Sequence, residues 1–217
     1  MNFLQWNTGR TLAKTGVNDI SNYLQSQSIS IALFQEVSDS LKLPCPGSYY
    51  CSKKSGIWVH NNVLSAPFPK LTIDCDEFSS VASLVSFPPQ SSQLLVVSVY
   101  RNQLPYSEEG QAKLFFVEWL KNIVLSYPQY DIIIGGDFNI HATFLGSVNT
   151  DVGGSALESF ADSIQGFGCF LNDGSATRVG WPGCSSPVTP SAIDATLFIG
   201  AMCNVTFQIF FHGLENL

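Results

Sequence analysis

Five places along this chain put an oxygen-bearing polar side chain where an apolar, strand-like run ends: Asn7, Glu36, Tyr100, Asp137 with Asn139 just behind it, and Asp194. Carboxylate and amide oxygens converging from several elements are what a hard divalent cation binds, and layered α/β folds gather their ligand sites at strand ends. Taken singly, each of these residues could equally cap a strand or a helix. Their ordered recurrence is what points to one site rather than to five separate caps.

The elements that must carry these residues follow from periodicity. Residues 2–7 form a short strand, residues 12–27 set Val17, Ile20 and Leu24 at helical spacing, and the β-branched run 30–35 closes on Gln35-Glu36, so the chain opens β-α-β. Residues 49–51 and 56–60 suggest a hairpin, and 81–87 and 94–100 read as successive core strands around the Pro88-Pro89 turn. A long amphipathic helix over 109–127 carries Leu114, Val117, Leu120, Ile123 and Val124 on one face and stops before Pro128. The strand 131–135 holds three consecutive isoleucines and delivers Asp137 and Asn139 into a turn loosened by Gly135 and Gly136. Residues 155–165 make a short helix, and 193–199 with 205–211 give a final strand pair. The expected architecture is α/β (α+β), a two-layer β-sandwich flanked by helices, in one domain over residues 1–217.

Six short segments appear in order: Gln5-Trp6-Asn7, Phe34-Gln35-Glu36, Ser98-Val99-Tyr100, Gly136-Asp137-Phe138-Asn139-Ile140-His141, Ala176-Thr177-Arg178 and Ser191-Ala192-Ile193-Asp194. Together they resemble the endonuclease/exonuclease/phosphatase superfamily, and within it the apurinic-endonuclease-like domain of non-LTR retrotransposons of the jockey type. The resemblance spans nearly the whole chain and implies a deoxyribonuclease-like fold that nicks DNA by attack of water on a backbone phosphate. It implies that Glu36 is the principal ligand of Mg2+ (or Mn2+), that Asn7 supports the metal and a phosphate oxygen, and that Tyr100 bonds the scissile phosphate. Asp137 would orient or deprotonate the water, Asn139 would hold the phosphate in line, and Thr177, Arg178 and Ser191 would meet substrate. Asp194 would orient a histidine further along. The implied partners are DNA and, ancestrally, a reverse transcriptase in the same polyprotein.

The resemblance breaks at the tail. The family closes on Ser-Asp-His, and Leu214-Glu215-Asn216 stands there after His212-Gly213. Glu215 can replace a metal-side aspartate, but Asn216 cannot become a cation as imidazole can. His212 could substitute only through a register slip, and His141, in the Asp137 loop, is either near phosphate or merely solvated. The domain is therefore expected to be truncated or degenerate at this end, with weak or absent activity, and a non-catalytic binding remnant or a phosphoesterase for a small phosphorylated substrate are the alternatives.

A net charge of −7, with 12% charged residues, argues against a protein that simply coats nucleic acid. The three arginines, Arg10, Arg101 and Arg178, each closely follow one of the segments; either this focuses positive charge where phosphate would sit, or it is coincidence. The six cysteines form no Cys-x-x-Cys pair and are expected as thiols. With no signal peptide at the N-terminus and no bilayer-length apolar run, the expectation is an intracellular, nuclear monomer away from membranes. Trp6, Trp58 and Trp119 are expected in the core; Trp181 alone could face nucleic acid or pack in its loop.

Overall fold

A strand that is apolar on both faces needs cover on both, and the central strands of this chain obtain it from a second sheet on one side and a helix on the other. The computed structural model describes residues 2–8, 17–37, 42–87, 93–171 and 194–200, and the backbone of 206–210. In chain order the elements are β1 (Asn2–Asn7), α1 (Val17–Ser26), β2 (Ile29–Gln35), β3 (Gly47–Cys51), β4 (Ser55–His60), β5 (Leu64–Pro67), β6 (Ile73–Asp74), β7 (Phe78–Ser86), β8 (Gln93–Arg101), α2 (Tyr106–Ser126), β9 (Asp131–Asp137), α3 (Val152–Ser163), β10 (Gly168–Phe170), β11 (Asp194–Ile199) and β12 (Thr206–Phe210). They form a five-stranded sheet in the order β12-β1-β2-β4-β3 and a seven-stranded sheet in the order β10-β11-β9-β8-β7-β5, with β6 also paired to β7.

Alternation along each strand decides which layer a residue enters. Phe3, Ile31, Leu33, Ile57 and Val59 of the smaller sheet meet Val81, Val85, Leu94, Val96, Ile133 and Phe198 of the larger one, forming the interior of the sandwich. The alternate residues Leu4, Trp6, Ala32, Phe34 and Trp58 pack beneath Ile20 and Leu24 of α1. On the opposite side Leu95, Val97, Val99, Ile132, Ile134 and Leu197 pack against Phe116, Val117 and Leu120 of α2 and Leu157 and Phe160 of α3. The α/β sandwich expected from the sequence is thus observed as four layers.

The expected final strand pair is corrected. β11 is antiparallel to β9 in the larger sheet, whereas β12 is parallel to β1 in the smaller one, so the two consecutive strands separate into opposite layers. Alternation alone cannot distinguish a hairpin from a crossing between sheets. β5, β6 and β10 are short additions without a readable period, and α3 begins at Val152 because Asp151 caps it, its carboxylate accepting from Gly154 N at 2.8 Å. Among the described residues Cys45, Cys51, Cys75 and Cys169 form no disulfide, and no helix is long and apolar enough to cross a membrane.

Candidate active site

Residues directly opposite one another on neighbouring strands send their side chains to the same face. Ser79, Tyr100, Asp137 and Asp194 are opposite each other across β7, β8, β9 and β11, so they form one row across the larger sheet. The row lies on the inner face at the rim of the sandwich, because Asn7 at the end of β1 crosses the gap and donates Nδ2 to Asp137 Oδ2 at 2.8 Å. Glu36 follows directly on β2, which is paired to β1 through Asn7 and Gln35. Asn7, Glu36, Tyr100, Asp137, Asn139 and Asp194 are therefore brought to one end of the sandwich. Thr177, Arg178, Ser191 and Glu215 lie outside the described residues, as do Arg10, Trp181 and His212. His60 sits at the far end of β4, whose first residue, Ser55, pairs with Gln35.

Beneath the rim the two sheets are tied by a polar layer that motif reading missed. Gln5 donates to the Gly136 carbonyl at 3.1 Å and accepts from the Thr196 hydroxyl, and Gln35 donates to Ser98 Oγ at 3.0 Å, which donates in turn to the Phe34 carbonyl at 3.1 Å. Gly136 allows no side chain here, since a Cβ would overlap the Val99 carbonyl oxygen on the neighbouring strand. Gly136→Ala is expected to lower stability by about 1–3 kcal/mol or more through forced displacement of β9. An unchanged urea midpoint would contradict that packing.

Two site residues hold backbone conformations that non-glycine residues rarely adopt: Glu36 at φ 56° and Asn139 at φ 47°. Such outliers persist where surroundings overdetermine them and cluster at functional sites. Thr8 is the clamp for Glu36, donating its hydroxyl to the Gln35 carbonyl at 2.8 Å and contacting the Glu36 carbonyl at 3.3 Å. Asn139 is held from three sides. Its backbone N–H donates to Asp137 Oδ1 at 2.9 Å, its Nδ2 to the Arg101 carbonyl at 2.7 Å, and its Oδ1 accepts from Gln103 at 3.0 Å.

For Arg101 the structure decides between the two readings of its placement beside a motif. Its guanidinium is fully buried and spends all five N–H groups inside the protein, on the carbonyls of Phe138, Asn139 and Asn102 and on both carboxylate oxygens of Glu109. The guanidinium thus locks the Asp137–Asn139 turn to the start of α2 and offers nothing to a phosphate. Glu109 extends the network through Lys113 to Asp151, whose carboxylate also accepts from the His141 backbone N–H at 3.0 Å.

Burial pushes the Asp137 carboxyl well above the ordinary carboxylate range, and the charges of Asp194 and Glu36 push it the same way. The Asn139 N–H and Arg101 oppose them without prevailing. A carboxylate so placed is a stronger base than a solvated one. Among the described residues no three His, Cys, Asp or Glu side chains form a ready metal cage. Mg2+ does not require one, since it keeps several waters and uses one or two carboxylates.

No family model matches the chain, and no curated protein matches it. Solved structures do. The endonuclease domain of TRAS1, a telomere-specific non-LTR retrotransposon, is similar at 20% identity, with a TM-score of 0.68 over 90% of this chain and 84% of that one. The D. rerio TDP2 structure with a single-strand DNA product is similar at 14% identity and TM-score 0.62, over 93% and 84% of the two chains. An endonuclease/exonuclease/phosphatase family protein from Bacteroides thetaiotaomicron is similar at 14% identity and TM-score 0.58, over 91% and 81%. The chain thus has the fold of the endonuclease/exonuclease/phosphatase proteins, the fold its motifs led us to expect.

Proposed function

We propose that the rim site is a metal-assisted phosphodiesterase centre acting on DNA, in a domain derived from a non-LTR retrotransposon. The observation that carries this reading is the set of Asn7, Glu36, Tyr100, Asp137 and Asp194 gathered at one rim, with Asn7 bonded across the gap to Asp137. The likeness to a retrotransposon endonuclease domain supports the substrate class, although one fold can host several chemistries. Glu36 and Asn7, with Glu215 from the tail, would hold Mg2+ or Mn2+, which when bound supplies a positive charge for the phosphate oxygens. Tyr100 hydrogen-bonds the phosphate. Asp137, steadied by Asn7 and by the Asn139 N–H, takes a proton from the attacking water. The water oxygen bonds to phosphorus as the bond to the 3′ oxygen breaks, and that oxygen takes a proton from solvent, leaving a 3′-hydroxyl and a 5′-phosphate. Asp194 keeps Asp137 basic by its charge. The domain would act as a nuclear monomer, beside a reverse transcriptase in the ancestral polyprotein.

In 18O-water with magnesium, cutting a labelled duplex oligonucleotide should leave one 18O on the new 5′-phosphate, and a chelator should stop the cutting. Cutting that is indifferent to chelator would remove the reading. A second reading, a domain that binds DNA without cutting it, is favoured by Leu214-Glu215-Asn216 where the family has Ser-Asp-His. Binding of the same oligonucleotide without scission in magnesium would select it.

A further inference from the structure

Among the described residues, Arg101 is spent inside the fold and Lys113 is engaged by Glu109 and Asp151, so neither aims a cation at a phosphate at the rim. Lys54 fills that position. It lies in the turn between β3 and β4, and its ammonium stands 4.8 Å from the centre of the Tyr100 ring. Tyr100 is directly opposite Asp137, so Lys54 lies one strand from Asp137, on the β7 side of the row, and it adjoins Ser55, which pairs with Gln35 beside Glu36.

The turn is anchored as firmly as the carboxylates are. Ser52 Oγ and Ser79 Oγ are 2.7 Å apart, Ser55 Oγ donates to the Ser79 carbonyl at 2.8 Å, and Lys54 N donates to Ser79 Oγ at 3.2 Å. Ser79 donates to Asp74 at 2.6 Å, and Asp74 also accepts from Lys53 N at 3.2 Å. The Lys54 ammonium donates to Asn102 Oδ1 at 2.6 Å, and Asn102 is itself fixed to the Asp76 carbonyl at 2.8 Å. One of three ammonium N–H groups is thereby used. Among the described residues Lys54 forms no ion pair, and the side chain is only half-buried. A cation held in place, unneutralised, with donors to spare is a poor structural buckle and a good anion contact.

We propose that Lys54 is a substrate-binding residue that donates to a non-bridging oxygen of the phosphodiester seated beside Tyr100. This inference rests on the phosphodiesterase reading. It also answers the acidic net charge, because a single fixed ammonium at the rim supplies locally what the overall composition lacks.

The test measures binding of a fluorescein-labelled duplex oligonucleotide by anisotropy, with Ca2+ replacing Mg2+ and KCl varied. Lys54→Met should weaken binding about tenfold at low salt and reduce the slope of log affinity against log salt by about 1, as expected for one lost phosphate contact. Lys54→Arg should restore most of both. If the methionine variant melts early, Lys54→Gln, which keeps the stem and a donor for Asn102, replaces it with the same expectation. Wild-type affinity and slope in the neutral variants, alongside a parent that binds and cuts, would overturn the Lys54 assignment alone. A parent that neither binds nor cuts the duplex would overturn both it and the phosphodiesterase reading.

Discussion

Replacing Asp137 with asparagine should slow turnover by orders of magnitude and, in the metal-free protein at neutral pH, raise the melting temperature. Loss of a positioned base costs about 10²–10⁴ in rate. The gain in stability has the opposite origin. Asp137 is buried beside Asp194 and near Glu36, so its ionised form is disfavoured in the fold. A carboxyl whose folded pKa is raised contributes stability in acid, and that contribution is lost as pH rises through the folded value. The parent therefore weakens between acid and neutral pH by an amount that the asparagine variant does not lose. Each kcal/mol recovered moves a domain of this size by about 2–4 °C. Adding Mg2+ should narrow the difference by stabilising the parent. Melting curves of both proteins with and without Mg2+ measure this directly, and a variant less stable than the metal-free parent at pH 7 would contradict it.

Arg101→Met should destabilise the domain by about 3–5 kcal/mol, the usual cost of removing one partner from a buried charged pair. The substitution strands Glu109 and leaves the carbonyls of Phe138 and Asn139 without their donors at 2.6 and 2.7 Å. Arg101→Lys should not rescue it, because one ammonium cannot reproduce a five-donor fork. Urea denaturation reads the result, and a loss under 1 kcal/mol would mean that the guanidinium is not the lock of the Asp137–Asn139 turn. The same network gives the domain an acid limit. Burial raises the pKa of both Glu109 and Asp151, but Arg101 and the Leu104 N–H outweigh it for Glu109, as Lys113 and backbone N–H groups do for Asp151, and both end lowered. Their stabilisation is present above the ordinary carboxylate range and disappears as pH falls through their folded values.

The strand ends that carry the site were readable because each closes an apolar run with one polar residue, as Asn7 and Asp137 do. Arg101 could not be read the same way: it follows Tyr100 by one residue, so alternation turns it to the outer face, towards α2 and away from the rim. Lys54 and Thr8 belong to no segment that sequence alone singles out. Their significance comes from pairings across the sandwich, with Tyr100 in the opposite sheet for Lys54 and with the Gln35–Glu36 turn on the adjacent strand for Thr8. The separation of β11 from β12 was hidden for a related reason, since both strands alternate alike and only their neighbours, β9 and β1, show which sheet each joins.

The most direct test of the central claim, that the rim cluster hydrolyses a DNA backbone, is relaxation of supercoiled plasmid in magnesium by the parent and by Glu36→Ala. We predict slow formation of open-circle product by the parent and none by the variant at equal concentration. Equal relaxation by the two proteins, or none by either, would contradict the claim.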